Sequence, residues 1–303
     1  MALLDHPIIS AIAGNTNFDY IVNSIKKGEC ILFLGAGVHF PSTDFKYEAT
    51  ICPPLGTKFS EELAGKCSFA KLFPNESTRN LQRVAMCYET EHSRDQLVTQ
   101  IRDAVETNKK PSPALCALAQ LPFHLIITTN YDRLFEEALF KAGKRPVVHA
   151  YNPKEGERTD DFDTPSEKEP YLFKLHGDIQ KRETIVITDE DYIQFVLRMT
   201  EKESSHPVPR TFRYNLTRWP TLFVGYSLLD YNLRLLFKTL RWQMDIGNIR
   251  PAYSVDPYPD PLIFDVWHNQ KKYVTFVAQD VWTFVPVLYQ KVTGKVMPKK
   301  CKP

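Results

Sequence analysis

The chain contains a series of short runs that are apolar at consecutive positions, and these runs constrain its fold more than any other feature. Such runs are typical of parallel strands, because helices cover both faces of a parallel sheet. They alternate with segments whose apolar residues recur at helical spacing. The alternation predicts an α/β fold with a mostly parallel sheet and helices on its faces. The candidate strands are residues 30–34, 124–128, 146–150, 171–175, 184–187, 221–225, 251–255 and 273–277.

Polar residues and glycines mark the ends of several predicted helices. Residues 18–27 carry an apolar stripe and precede Gly28, a typical residue at a helix C-terminus. Asp132 is predicted to cap a helix that ends near Gly143. Asp230 is predicted to cap a later helix in the same way.

Two segments interrupt the alternation of strands and helices. Residues 38 to about 120 are too long for one crossover connection, and their pattern predicts several helices that form a lid or subdomain. Residues 151–170 are polar, acidic and proline-containing, which predicts a long surface loop. We therefore expect one domain over residues 1–303, with a helical insertion at about 38–120 and a loop insertion at about 151–170.

Charge and cysteine content exclude several classes of protein. The net charge is +2, so no strong field attracts nucleic acid or an anionic membrane. The N-terminal residues do not form a signal peptide, and no run approaches the roughly 18 apolar residues that span a bilayer. The 6 cysteines are scattered without a CxxC pair, so we expect reduced thiols and no structural zinc. A cytoplasmic protein without direct binding to nucleic acid or membrane is expected.

The first candidate site is Gly35-Ala36-Gly37, directly after the first apolar run. Glycines after a strand allow backbone N–H groups to approach a phosphate, because no Cβ stands in the way. An ordinary turn at the end of a strand has the same composition. The fingerprint of a dinucleotide cofactor site also requires glycine or alanine where this chain has Phe40, so a reducing-cofactor site is not favoured.

Polar residues follow two other predicted strands. Thr129, Asn130 and Asp132 come after the run at 124–128, and His176 comes after the run at 171–175. The carboxyl ends of strands in open α/β sheets face the ligand crevice, where an amide can orient water and an imidazole can transfer a proton. Helix capping by Asn130 and Asp132, and a structural role for His176, are the alternatives.

Three later segments offer further candidates. Gly225-Tyr226-Ser227 lacks the final glycine of a serine-hydrolase elbow, because position 229 is leucine, so phosphate or ribose contacts fit it better. Asp256 and Asp280 each follow a late apolar run and could accept hydrogen bonds from a ribose or an adenine. Turn formation and helix capping remain open for both.

These motifs, in this order, resemble the sirtuin superfamily. The match covers about residues 28–290 and resembles in particular a bacterial sirtuin-like branch of NAD-consuming effectors in antiphage defence. The resemblance implies a Rossmann-like, doubly wound domain in which NAD+ is the substrate and the nicotinamide–ribose bond is cleaved. The matching segments are Gly35-Ala36-Gly37, Thr129-Asn130-Tyr131-Asp132, Lys174-Leu175-His176-Gly177-Asp178, Gly225-Tyr226-Ser227 and Gln279-Asp280-Val281.

The resemblance also implies a role for each matching residue. His176 corresponds to the catalytic histidine of the family, and Asn130 to the asparagine that orients NAD+ and water. Asp132 corresponds to the acidic residue beside that asparagine. The residues implied to contact NAD+ are Gly35, Ala36, Gly37, Thr129, Asp132, Gly225, Ser227, Asp256 and Asp280.

The chain departs from the deacylase branch of the family in three places. It has no four-cysteine zinc ribbon after His176, and no cysteine between Cys116 and Cys301. Residues 188–191 replace the segment that holds an acyl-lysine peptide, and residues 38–41 replace the stretch after the phosphate loop. These departures favour hydrolysis of NAD+ without a metal over protein deacylation.

The resemblance leads to a regulated NAD+ glycohydrolase as the expected function. It also implies a homo-oligomer, or a partner such as a HerA-like ATPase or an Argonaute-type sensor. Two alternatives stay open: an NAD-dependent deacylase or ADP-ribosyltransferase, and a non-catalytic subunit that senses NAD or ADP-ribose.

Overall fold

Seven strands form one sheet in the computed structural model, which describes residues 16–154, 164–199, 201, 207–228, 250–268 and 274–301. All neighbouring strands pair in parallel, which confirms the predicted α/β class. Each strand lies within one residue of a predicted run. The strands are β1 (Ile31–Leu34), β2 (Leu125–Thr128), β3 (Val147–Ala150), β4 (Tyr171–Lys174), β5 (Thr221–Val224), β6 (Ala252–Val255) and β7 (Val274–Val277).

The sheet is doubly wound, with the strand order β3-β4-β2-β1-β5-β6-β7. From β1 the chain adds β2, β3 and β4 on one side and then crosses to add β5, β6 and β7 on the other. The direction of winding therefore reverses between β1 and β5. In a sheet of this kind, ligands bind at that reversal, at the carboxyl ends of the strands.

Helices form most of the connections between the strands and pack around the sheet. Five of them lie between β1 and β2, as the length of that segment predicted. The helices are α1 (Thr16–Lys26), α2 (Gly56–Ala64), α3 (Phe69–Leu72), α4 (Leu81–Glu91), α5 (Arg94–Val105), α6 (Pro113–Gln120), α7 (Leu134–Lys141), α8 (Asp189–Arg198), α9 (Arg210–Leu216), α10 (Pro261–His268) and α11 (Val281–Thr293).

Both faces of the sheet are buried, as the consecutive apolar positions require, except along the edge strand β3, which is partly exposed. Leu32 and Leu34 of β1 belong to a buried cluster with residues of α1, α6, α7 and α11. Ile31 and Phe33 belong to a second cluster with residues of α8 and α9. Successive side chains of a strand point to opposite faces, and burial of each large apolar side chain stabilises the fold by about 1.5–3 kcal/mol.

The helices between β1 and β2 divide into two groups. Helices α2 to α5 share a third buried cluster with Ile179, Ile185 and Ile187, from the segment after β4. Helix α6 instead packs in the first cluster, against the sheet. The predicted insertion at about 38–120 thus contains several helices, and its boundaries as a separate module stay a prediction.

The predicted strand at 184–187 is wrong. Residues Arg182–Thr184 form a turn of 3-10 helix, and the apolar residues that follow are buried without a strand neighbour. Ile185 and Ile187 are buried against the helices of the insertion, and Val186 is buried in the sheet-face cluster. The run is apolar because it is buried between these layers. A strand and a buried extended segment have the same apolar pattern, so the sequence does not distinguish them.

The expectation that all cysteines are reduced is also wrong. Cys116 in α6 and Cys301 after α11 form a disulfide, with their Cα atoms 5.5 Å apart. A separation of 185 residues hides this proximity in the sequence. The other cysteines, Cys30, Cys52, Cys67 and Cys87, are free.

Other predicted features have mixed outcomes. The helix predicted at 18–27 corresponds to α1, and the helix after Asp132 corresponds to α7. The helix predicted after Asp230 lies outside the described residues, as does the middle of the loop at 151–170. No helix in the described ranges combines the length and apolarity needed to cross a bilayer.

Candidate functional site

The loops after β1 and β5 meet in a corner of direct backbone contacts. Gly37 N–H donates a hydrogen bond to Gly225 O at 2.8 Å. A Cβ on Gly35 would overlap that same oxygen, and a Cβ on Gly225, whose φ is +67°, would overlap Val38 N. The missing side chains of Gly35 and Gly225 allow the two loops to contact each other. The sequence analysis instead predicted that a phosphate occupies the space beside these glycines. Contact of a phosphate with Ala36 and Gly37, which are half-buried, stays a prediction.

Three polar side chains cluster beside this corner. Asn130 Nδ2 donates to Gly35 O at 3.3 Å and lies 3.3 Å from His39 Nε2. His39 Nε2 lies 3.3 Å from Asp132 Oδ2 as well, and the side chains of His39 and Asp132 are 2% and 5% exposed. Asn130 N–H donates to Thr128 Oγ1 at 3.1 Å, which anchors the backbone of the cluster to the end of β2.

Asp132 is an ionised carboxylate in this cluster. Burial disfavours its charge, but His39, Lys174 and the N–H of Leu134 together outweigh burial and lower the pKa of Asp132. Its Oδ1 accepts from Leu134 N–H at 2.9 Å, at the first residue of α7. Asp132 therefore contributes to the start of α7, as predicted, and also faces the polar cluster.

A buried lysine links the two strands that carry the candidate residues. Lys174 Nζ donates to the carbonyl oxygens of Tyr131 and Asp132 at 3.1 and 2.6 Å. It also lies 3.1 Å from Glu136 Oε1 and 3.2 Å from Asp178 Oδ2, while its own side chain is 0% exposed. Burial raises the pKa of Glu136, although the ammonium group of Lys174 opposes that effect. The network fixes the segment after β2 against the segment after β4.

His176 is held in an aromatic environment two residues beyond the end of β4. Its Nδ1 lies 3.4 Å from Tyr192 OH, and the edges of the rings of Tyr192 and Phe195 meet it at 5.2 and 5.7 Å between centroids. Its carbonyl accepts from Val186 N–H at 3.0 Å. Gly177, with φ +92°, forms the turn that follows, where a Cβ would overlap Thr184 O. Local backbone and ring contacts thus restrict the orientation of His176.

Strand pairing brings Asn130 and His176 to the same edge of the sheet. Thr128 in β2 pairs with Lys174 in β4, and each candidate follows its strand by two residues. Leu175 N–H donates to Thr128 O at 2.7 Å, so the two segments remain adjacent past the paired positions. The structure therefore places Asn130, Asp132 and His176 after the ends of neighbouring strands, and Asn130 also contacts the glycine corner through Gly35 O.

The remaining predicted residues lie around the same edge. Thr129 N–H donates to Leu34 O at 3.3 Å, and Ser227 is exposed after β5. Asp256 follows β6, where its Oδ1 accepts from Tyr258 N–H at 2.9 Å and burial raises its pKa. No hydrogen bond among the described residues joins Asp256 to Asn130.

Asp280 caps α11, which is the alternative that the sequence left open for it. Its Oδ1 accepts from Thr283 N–H at 2.7 Å. The next residue but one, Trp282, donates its Nε1–H to Phe40 O at 3.0 Å and connects α11 to the loop after β1. A cavity of about 610 Å³ lies here, and Phe40, Asp280 and Trp282 are among its lining residues.

His39 is the one cluster member that sequence reasoning missed. It sits two residues after Gly37, in the stretch that departs from the sirtuin pattern. A histidine directly after a glycine loop at a strand end was the available signal. Its partner Asn130 is 91 residues away, so the contact itself could not be found without the fold. The described residues hold no group of three or more histidine, cysteine, aspartate or glutamate side chains that could bind a metal ion.

Comparison with known families decides which family this arrangement represents. The model of the SIR2-like domain matches residues 124–276, about half of the chain. The chain belongs to the SIR2-like domain family. The matched part of this SIR2-like chain includes Asn130, His176 and Gly225, whereas Gly35 and Asp280 lie outside it.

Curated relatives of the SIR2-like chain are bacterial. NAD(+) hydrolase ThsA of Enterococcus faecium is 26% identical over 234 residues, which cover 77% of this chain and 44% of that protein. NAD(+) hydrolase ThsA of Bacillus cereus (strain MSX-D12) is 25% identical over 272 residues, 86% and 52% of the two chains. Defense-associated sirtuin 2 of Bacillus subtilis is 26% identical over 263 residues, 85% and 23% of the two chains. The chain spans about half the length, or less, of these relatives.

Among solved structures, the SIR2-like chain is similar to one described as the crystal structure of a SIR2 homolog–NAD complex. The TM-score is 0.45 at 12% sequence identity, and the match covers 94% of this chain and 98% of that chain.

Proposed function

We propose that this SIR2-like chain is an NAD+ glycohydrolase, which cleaves the nicotinamide–ribose bond to give nicotinamide and ADP-ribose. The observation that carries the proposal is the position of Asn130 and His176. They lie two residues beyond paired positions on the neighbouring strands β2 and β4, at the carboxyl edge of the sheet, and β2 is the neighbour of β1, where the winding reverses. That edge is where a doubly wound sheet binds a dinucleotide.

The relatives support the same activity. The relatives from Enterococcus faecium and Bacillus cereus are both named NAD(+) hydrolase, and this chain aligns to them over 77% and 86% of its length. A role in antiphage defence is supported by the relative named Defense-associated sirtuin 2. A regulated effector would release nicotinamide only when triggered, so a homo-oligomer, a HerA-like ATPase or an Argonaute-type partner belongs to the proposal.

The residues at the carboxyl edge of the sheet can contact the pyrophosphate and a ribose of NAD+, as the sequence predicts. Half-buried Ala36 and Gly37 lie at the glycine corner, where they can meet a pyrophosphate. Half-buried Asp256, a carboxylate at the end of β6, can accept hydrogen bonds from a ribose. The residues proposed to contact NAD+ are Gly35, Ala36, Gly37, Thr129, Asp132, Gly225, Ser227, Asp256 and Asp280.

The proposed chemistry assigns separate roles to the two residues at the strand ends. Nicotinamide leaves as a neutral molecule from a cationic centre, so bond cleavage requires stabilisation of an oxocarbenium-like ribose and a placed nucleophile. Asn130 holds the water whose oxygen bonds to the ribose carbon as the bond to nicotinamide breaks. His176 accepts the proton that this water loses, directly or through a ribose hydroxyl, and returns it to solvent. The protein supplies these groups without a metal ion.

Release of nicotinamide by site variants tests the assignment. Asn130→Ala and His176→Ala are expected to lower the rate of nicotinamide release from NAD+ by at least about 100-fold, the effect of losing a positioned acid–base group. Neither side chain is part of the three apolar clusters, so thermal unfolding should stay close to that of the wild type. His92→Ala, at an exposed histidine after α4, is the matched control and should keep full activity.

Three outcomes of this assay would contradict the proposal. Full activity in either Asn130→Ala or His176→Ala would remove that residue from the site. Nicotinamide release only when an acetylated or ordinary protein acceptor is present would indicate a deacylase or an ADP-ribosyltransferase. Binding of NAD+ without any release of nicotinamide, with and without the proteins encoded next to it, would indicate a sensor.

A further inference from the structure

A buried histidine that the reaction above does not use connects the polar residues after β2. His39 ends the 3-10 turn that follows β1, and its side chain is 2% exposed. Its Nε2 lies 3.3 Å from both Asp132 Oδ2 and Asn130 Nδ2. Its Nδ1 has no hydrogen-bond partner among the described residues. The contacts at Nε2 are therefore the polar contacts that hold this ring among the described residues.

A single imidazole nitrogen cannot satisfy both of its neighbours at once. Nε2 carries either a proton, which it can donate to Asp132, or a lone pair, which can accept from Asn130. The carboxylate oxygen of Asp132 is an acceptor 3.3 Å from Nε2, so the hydrogen bond between them places the proton on Nε2. The hydrogen bond to Asp132 therefore fixes both the tautomer and the ring plane of His39. The edge of this fixed ring then faces the amide of Asn130.

The amide of Asn130 has one orientation that its surroundings accept. Gly35 O is an acceptor, so the atom of Asn130 that faces it at 3.3 Å must be the donor Nδ2. The ring of His39 lies at 3.3 Å from the same Nδ2, which leaves this nitrogen between the carbonyl and the ring. Oδ1 of Asn130 accepts no hydrogen bond from the described residues. It is the acceptor that remains for an incoming water.

We propose that His39 is a positioning residue for the cleavage of NAD+. Held by Asp132, its ring edge packs against the Asn130 amide and keeps that amide in contact with Gly35 O, the acceptor that sets its orientation and leaves Oδ1 to the attacking water. The inference rests on the proposed function. Because His39 is almost fully buried, it acts through Asn130 and makes no contact with the substrate in this role. Loss of His39 should therefore affect the rate of reaction more than the affinity for NAD+.

Steady-state kinetics of His39 variants separate these effects. His39→Ala should lower kcat by about 100-fold, the effect of misplacing a reacting group by about 1 Å, with KM within about threefold of the wild type. His39→Gln should recover most of the activity, because its side-chain nitrogen can take the place of Nε2 and donate to Asp132. His39→Asn is one bond shorter and should remain as slow as His39→Ala. His92→Ala is again the control.

A second readout does not depend on turnover. In protein labelled with ¹⁵N-asparagine, the side-chain amide signals of Asn130, assigned by their loss in Asn130→Asp, report its orientation by NMR. Exchange of these protons with water should accelerate in His39→Ala and His39→Asn and stay slow in His39→Gln. If His39→Ala does not fold, the pair His39→Gln and His39→Asn makes the same comparison.

The outcomes distinguish this inference from the proposed function. Unchanged Asn130 amide signals in His39→Ala and His39→Asn, or an unchanged kcat in an active enzyme, would overturn the role of His39. If the amide signals change as expected in the His39 variants but the wild-type protein releases no nicotinamide, the proposed reaction is overturned and the positioning contact stays supported.

Discussion

At the scale of single residues, position along the chain identified the candidate site better than residue type did. Asn130, Asp132 and His176 could be predicted because each follows an apolar run closely, and parallel strands bring their carboxyl ends to one edge. His39 could not be predicted as their partner, because it is 91 residues from Asn130 in the sequence and only the fold brings the two side chains together. Hydrogen-bond partners across a sheet depend on register, which a single sequence does not show.

The buried charges around Lys174 were also beyond the reach of sequence reasoning. Lys174 lies in an otherwise apolar run, where it looks like a single exposed charge, yet its side chain is 0% exposed. Only the fold shows that Glu136 and Asp178 surround it. Its hydrogen bonds to two carbonyl oxygens after β2 make it a structural support of the site.

Removal of this ammonium group should destabilise the protein strongly. Lys174→Met leaves Glu136 and Asp178 buried without their counter-charge, and we expect a loss of about 3–5 kcal/mol in the free energy of unfolding. Urea denaturation measures this loss. The control is Lys141→Met, which removes a partly exposed ion pair with Glu137 and should cost only about 0.3–0.5 kcal/mol. Equal losses in the two variants would contradict the account of the buried network.

At the scale of elements, all seven described strands could be predicted from their apolar runs, and all of them except the partly exposed edge strand β3 are buried on both faces. The same rule failed at 184–187, where burial comes from packing between layers and not from strand pairing. An apolar run predicts that a segment is buried, but it does not show whether the segment is a strand or an irregular one.

The glycine corner between β1 and β5 gives a prediction at this scale. Gly225→Ala introduces a Cβ that would overlap the backbone at Val38 and Gly37, at a residue with φ +67°. Gly294→Ala has a similar φ, +72°, with nothing within 4 Å of the added Cβ. Backbone strain alone should cost about 1–2 kcal/mol in Gly294→Ala, and Gly225→Ala should lose clearly more in urea denaturation. A loss in Gly225→Ala no larger than in Gly294→Ala would show that the two loops do not require direct contact.

At the scale of the whole molecule, the fold class could be predicted and the order of the strands could not. Alternating runs indicate an α/β sheet, but they do not show that β3 lies outside β4 at the edge of that sheet. The covalent link between α6 and the segment after α11 was missed for the same reason: cysteine spacing does not show which distant elements pack together.

The disulfide predicts the chemistry of the cysteines in the purified, air-oxidised chain. Alkylation in denaturant without reductant should label Cys30, Cys52, Cys67 and Cys87, and prior reduction should add Cys116 and Cys301. Mass spectrometry of the intact protein counts the labels. Reduction should also lower the free energy of unfolding by about 2–4 kcal/mol, because a loop of this length is no longer closed in the unfolded state. Labelling of all cysteines without reductant would contradict the pairing of α6 with the tail.

We propose that this SIR2-like chain transfers the ADP-ribosyl group of NAD+ to water. The most direct measurement is the molar ratio of ADP-ribose to nicotinamide, formed from NAD+ by the chain together with whatever partner activates it. Hydrolysis at Asn130 and His176 predicts a ratio of one, without any protein acceptor, and loss of both products in Asn130→Ala. Nicotinamide released without ADP-ribose, or neither product from a protein that binds NAD+, would contradict the account.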